Sequence, residues 1–196
     1  MVVFNIRKVN VVTENNIRYA NIAYDDVVNG EGLGAVFFTQ YCPHHCKHCH
    51  NPSTWNRHGG QVFSTDVVDS LMEYYDTVPF ANRLTISGGE PLSEFSVGIV
   101  RYIIDRFKKK YPEKKIWLYT GCTIDHVIGL ISDNVELIDN ELSDIVEVAK
   151  QCDVIVDGKY IHDLRDLTLS WRGSSNQRVI DVQQSIEENQ IVLYDK

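Results

Sequence analysis

The chain has 196 residues, 43% of them hydrophobic, which is enough for one sizeable buried core and too little for two full domains. Its 27 Asp and Glu outweigh 19 Lys and Arg to give a net charge of -8, and its one basic cluster, Lys108 to Lys110, falls where it complements the dipole at the end of a predicted helix, so no nucleic-acid footprint is expected. No apolar run reaches the roughly 18 residues of a membrane span and no charged-then-apolar leader opens the chain, so a single cytoplasmic domain spanning 1–196 is expected.

Residues 2–12, "VVFNIRKVNVV", alternate in hydrophobicity and predict an extra strand within 1–18, able to pair with a sheet edge or a partner. A first core strand is predicted over 35–40, after the turn "NGEGLG", and the stretch "CPHHCKHCHN" occupies the loop behind it. A helix follows over 65–76, with Ser64 as N-cap and Val67, Val68, Leu71, Met72 and Tyr75 as its apolar stripe. The strand "RLTIS" (83–87) runs into "GGEP" (88–91), and Val97, Val100, Ile104 and Phe107 mark one face of a helix over 94–110. "IWLYT" (116–120) is a third strand ending at Gly121, one or two helices reach Lys150, and "DVIVDG" (153–158) is a fourth strand. Strands alternating with helical patterns predict an α/β fold with a mainly parallel sheet. In such sheets ligands gather at the carboxyl ends of strands, so the loops after these four would share one site.

Five cysteines are an odd number for a disulfide framework, and Cys42, Cys46 and Cys49 stand too close together to bridge comfortably. In a reducing compartment CxxxCxxC reads as metal-binding, and three thiolates leave a tetrahedral or cuboidal centre one protein ligand short. Two centres remain open at this point. One of the histidines 44, 45, 48 and 50 could complete a structural Cys3His zinc site in a binding module without catalysis. Alternatively, a 4Fe-4S cluster would keep one iron free for a small molecule, in which case His44 and His45 are spacers. "GGEP" is an ordinary strand-to-helix turn or a backbone cradle with Glu90 as acceptor, and "DGK" (157–159) is a solvated turn or part of the site. Cys122 and Cys152 read as small buried residues, Cys122 being close to the presumed site; His58, His126 and His162 are scattered.

CxxxCxxC after the first strand and GGE after the second resemble the radical S-adenosylmethionine superfamily. "YANIAYDDVVNGEG", "CHNPSTW", "WLYTG", "VDGKY" and "WRGSSNQR", in order from Tyr19 to Asp181, narrow the resemblance to the activating proteins of anaerobic (class III) ribonucleotide reductases. The resemblance implies an incomplete TIM-type barrel, open on one side because a large protein substrate cannot enter a closed barrel mouth. It implies a 4Fe-4S cluster on Cys42, Cys46 and Cys49, with S-adenosylmethionine on its free iron. His48, Cys49 and His50 would line the adenosyl side and Gly88, Gly89 and Glu90 the methionine end. Thr120, Gly121, Asp157 and Lys159 would face the same pocket. The chemistry is that of the cofactors, with no separate catalytic residue. His50 stands where many superfamily members carry an aromatic residue. The implied partners are the large subunit of the anaerobic reductase, which would receive a glycyl radical, and reduced flavodoxin or a similar electron donor. Residues 160–196 would close the site or dock the reductase. A different small radical enzyme is the alternative, and "RGSSNQR" weighs against it.

Overall fold

The computed structural model describes residues 17–136 and 141–194. Strand β1 (Arg18–Asp26) leads through a tight loop into β2 (Gly34–Thr39), and after the cysteine loop come β3 (Gln61–Val62) and helix α1 (Thr65–Thr77). Then follow β4 (Arg83–Gly88), α2 (Val97–Lys110), β5 (Lys115–Tyr119), α3 (Asp125–Ser132), α4 (Glu141–Gln151), β6 (Val154–Asp157), β7 (Arg178–Asp181) and α5 (Val182–Glu188). The strands form one sheet in the order β3-β1-β2-β4-β5-β6-β7. The central four are parallel and lie in chain order, whereas β1 and β3 on one flank and β7 on the other run antiparallel.

The predicted parallel strands are those of the centre, and their composition explains their place. "AVFF", "IWLY" and "VIV" are continuous apolar runs, as strands covered on both faces tend to be, whereas "RLTIS" alternates, with buried Arg83, Thr85 and Ser87 on the face away from Leu84 and Ile86. Ala35, Phe37, Leu84, Ile86, Ile116, Leu118, Ile155 and Ile180 point to the helices and are buried with Leu71, Tyr75, Val100, Ile104 and Phe107. Each such side chain taken from water contributes about 1.5–3 kcal/mol. Trp117, Val154, Val156 and Val179 form a second cluster on the other face, against Tyr119, Trp171 and Tyr194.

The sequence missed both flanks. β1 carries Asn21, Asp25 and Asp26 in a half-exposed edge region, and its hydrophobic alternation is too weak to announce a strand. β7 lies beyond the polar run "WRGSSNQR", and α5 follows at once, capped by the Asp181 side chain accepting from the Gln184 N–H at 3.0 Å. So the C-terminal stretch is in part a strand and helix of the sheet rather than only a closing loop. Ser64 sits before α1 in extended conformation, but its side chain makes no capping hydrogen bond. α2 starts three residues later than predicted, because Ser93 bonds back to the Glu90 carbonyl through both its N–H, at 3.2 Å, and its hydroxyl, at 2.8 Å, and holds a turn there. The strand expected over residues 2–12 lies outside the described residues. No described helix is long and apolar enough to cross a membrane.

Candidate metal and cofactor centre

The three cysteines lie on the loop leaving the carboxyl end of β2. Parallel pairing sets Thr39 beside Gly88, so this loop and the GGEP turn leave the sheet together. They are stitched to one another by Gly89 N–H donating to the Thr39 carbonyl at 2.9 Å and Glu90 N–H donating to the Tyr41 carbonyl at 2.7 Å. Glycine is required here: Gly88 has φ +100°, and a Cβ on Gly89 would collide with the Tyr41 carbonyl. The cysteine loop is itself tightly wound, with Tyr41, His45 and His48 all at positive φ, a conformation that L side chains hold only when surroundings enforce it. The Gln40 side chain enforces it from below, donating to the Ser53 and Asn56 carbonyls at 3.1 and 2.7 Å. The Ser96 hydroxyl secures the Gln40 carbonyl at 3.0 Å.

Cys42, Cys46 and Cys49 line one cavity of about 130 Å³ together with Gly88, Gly89, Glu90, Thr120 and Gly121. Cys42 is buried and the other two are partly so. Burial pushes the Cys42 thiol up, and the charge of Glu90 adds to the rise. Burial likewise raises Cys46, helped by Cys49, while the nearby Lys159 charge works the other way. Three thiols on one cavity wall, two of them in surroundings that disfavour their anions, need a cation to neutralise them as thiolates, and this donor set fits an iron-sulfur cluster.

Glu90 is almost wholly buried, and both of its carboxylate oxygens are hydrogen-bonded. One carboxylate oxygen accepts from the Thr120 hydroxyl at 2.6 Å and the Leu92 N–H at 3.0 Å. The other accepts from the Gly121 N–H at 2.8 Å and meets His44 Nε2 at 2.7 Å. Thr120 thus enters the site as the support of Glu90, and it also accepts from the Cys122 N–H at 3.0 Å. His44 is more than the spacer the sequence suggested, since its ring nitrogen also stands 3.9 Å from Cys122 Sγ. The other loop histidines are turned elsewhere: His45 stacks on Trp55, His48 tilts against His162 and His50 is exposed.

The four remaining expected residues divide. His48, His50, Asp157 and Lys159 are not among the cavity's lining residues. Asp157 is neither a solvated turn nor a lining group: it is buried, accepts the Ile124 N–H at 3.1 Å, and is bound twice by the Arg178 guanidinium at 2.9 and 2.6 Å. Arg178 also grips Asp125 and holds that carboxyl below the usual range, so one arginine ties β6, β7 and the start of α3 together. Lys159 is exposed, yet its charge reaches Cys46 and Cys122. Cys152 is a buried thiol donating to the Val148 carbonyl at 3.3 Å.

Sequence reasoning missed Ser87, Tyr119, Val156, Gly158, Tyr160 and Gln177, which complete the lining. Ser87, Tyr119 and Val156 could have been found from strand alternation, because each is out of phase with the helix-facing residues. Gln177 could not, since it reaches the wall only because the loop from 158 to 177 folds back. Its side chain donates to the Gly158 carbonyl at 3.0 Å and accepts from the Gly173 and Ser174 N–H groups at 3.0 and 3.2 Å.

A family model described as a 4Fe-4S single cluster domain matches residues 28–180. Among curated proteins, the chain is 34% identical over 164 residues to the anaerobic ribonucleoside-triphosphate reductase-activating protein of Salmonella typhimurium, covering 83% of this chain and 97% of that one. It is 35% identical over 155 residues to the protein of the same name from Escherichia coli, covering 79% and 92%. The Vibrio cholerae protein of that name is 35% identical over 153 residues, with 78% and 90% covered.

Proposed function

The chain belongs to the 4Fe-4S single cluster domain family and, within it, to the anaerobic ribonucleoside-triphosphate reductase-activating proteins, and on that premise we propose that it installs a glycyl radical on the large subunit of an anaerobic ribonucleotide reductase. When bound, the 4Fe-4S cluster supplies one electron that cleaves S-adenosylmethionine to methionine and a 5'-deoxyadenosyl radical, which takes a hydrogen atom from a glycine Cα of the reductase.

Cys42, Cys46 and Cys49 would hold three irons of the cluster, leaving its fourth for the amino and carboxylate groups of the methionine moiety. Gly88 and Gly89 let that moiety approach the backbone, and Glu90 holds a carboxylate at the cavity edge for its ammonium. Thr120 and Gly121 fix the orientation of that carboxylate. His48 and His50 flank Cys49 in the chain, and we assign them to the adenosyl group on that adjacency, although neither lines the cavity in the structure. Lys159 contributes positive charge beside the thiolates, and Asp157 keeps the loop it begins in position through Arg178.

The observation that carries this reading is the convergence of three loop cysteines and the Gly88–Glu90 turn on one cavity at the carboxyl ends of adjacent parallel strands. Four parallel strands in chain order, with helices in the connections between them, support an incomplete barrel whose open side admits a protein substrate. The loop from 158 to 177 is the segment that docks it, and reduced flavodoxin or a similar protein in the cytoplasm is the electron donor. Anaerobic incubation with dithionite and S-adenosylmethionine should release 5'-deoxyadenosine, and addition of an anaerobic reductase should produce a glycyl-type paramagnetic signal. Reconstitution that yields about one zinc and no iron or sulfide per chain would refute the reading.

A further inference from the structure

The face of the sheet turned away from the helices is built in layers. In the lower layers Arg83 and Thr85 of β4 both donate to the Asn29 carbonyl, and Gly30 lies against the Arg83 and Trp117 side chains. That packing seals the bottom: Arg83 Nε and Trp117 Nε1 are buried without a hydrogen-bond partner. The next residues up on the same face are Ser87 and Tyr119. Ile86 pairs with Leu118 and both point into the helix-side core, so the residues that follow them stand side by side on the opposite face.

Both side chains line the cavity that holds the three cysteines. Among the described residues neither hydroxyl makes a hydrogen bond, although Ser87 is only 9% exposed. By contrast, the buried tyrosines are satisfied: Tyr75 donates to the Arg83 carbonyl at 2.5 Å and Tyr111 to the Met72 carbonyl at 2.8 Å. Each hydroxyl therefore reaches the cavity with its hydrogen-bonding capacity unused by the protein, open to a group that enters. Burial pushes the Tyr119 phenol up, which keeps it neutral and able to donate.

We propose that the Ser87 and Tyr119 hydroxyls receive the main chain of the glycine-bearing segment of the protein substrate. The inference rests on the activase reading and adds how the substrate is recognised. A glycine has no side chain, so a site that takes one can read only the flanking amides, and a neutral hydroxyl can both donate to a carbonyl and accept from an N–H. The charged group of the cavity, Glu90, already accepts from four partners and is placed for a cation. Glu90, Thr120 and Gly121 stand beyond the strand ends, whereas this pair sits on β4 and β5 themselves.

The test compares Ser87→Ala and Tyr119→Phe with the wild-type holoenzyme, using an anaerobic ribonucleotide reductase as substrate. Each substitution should raise the reductase concentration at half-saturation by roughly five-fold, the worth of one net hydrogen bond. The dissociation constant for S-adenosylmethionine, from equilibrium dialysis, should stay within about two-fold, as should iron and sulfide content, because no hydrogen bond to the cofactor is removed. An unchanged half-saturation in both variants overturns the proposal. A parallel rise in the S-adenosylmethionine constant overturns it as well, since the hydroxyls would then serve the ribose. The two substitutions are independent, so a folding defect in one leaves the other to decide. A wild-type protein that releases no 5'-deoxyadenosine instead refutes the activase reading itself.

Discussion

That Cys42, Cys46 and Cys49 meet on one cavity was legible from spacing, because a metal centre of the proposed kind requires that residue type at short intervals within one loop. Replacing any of them by Ala should abolish a full cluster, seen as loss of iron, sulfide and visible absorbance after anaerobic reconstitution; retention in all three variants would refute the ligand assignment. Glu90 was legible as an acceptor, but its partners were not, since Thr120, Gly121 and His44 come from other loops. Glu90→Gln places an amide among groups that already donate, and should cost about 1–3 kcal/mol of stability. For a chain of this size that is roughly 2–4 °C of melting temperature per kcal/mol. If the carboxylate also receives the ammonium of S-adenosylmethionine, affinity for that ligand should fall with it, and an unchanged dissociation constant would remove Glu90 from the binding role.

Among the elements, the parallel strands and the helices that cover them were read from hydrophobic pattern, and β1 and β7 were not. The flanking strands are held by particular polar contacts instead. Arg178 clamps β7 to Asp157 on β6, whose side chain is 1% exposed. Arg178→Ala leaves that carboxylate buried without its cation and should cost about 3–5 kcal/mol, read as a lower urea midpoint at unchanged slope. On the other flank Asp26, at the end of β1, is bound by the fully buried Arg83. Burial alone would raise the Asp26 carboxyl, but hydrogen bonds from Arg83 and Asn29 outweigh it and hold the group below its ordinary value of 3.8. A depressed acid stabilises the fold above its unfolded pKa, and that stability drains away as pH falls through the folded one. The wild type should therefore lose stability below about pH 4, and Asp26→Asn should flatten that acid limb in denaturant titrations at pH 5 and pH 3.

For the molecule as a whole, the cluster loop and the sheet should respond differently to metal removal. The loop is strained at Tyr41, His45 and His48 and collects thiols that burial disfavours as anions, whereas the sheet rests on its own core. Anaerobic chelation of iron should lower the melting temperature, by linkage, and make the exposed Lys47 a site of tryptic cleavage. Iron and sulfide should restore both properties, and a holoprotein cut as readily as the stripped one would show that the cluster does not order the loop.

The four parallel core strands, the cysteine loop and the kinship with reductase-activating proteins follow from residues close in the chain, because spacing, periodicity and motif are local properties that survive without a fold. Which groups meet inside the cavity does not follow from them. Ser87 and Tyr119 become neighbours only through the register of β4 and β5, Gln177 joins the wall only through the return of its loop, and His44 finds Glu90 only because β2 and β4 release their loops together. Contacts between residues distant in the chain depend on strand register and burial, and these are settled by packing the whole core at once.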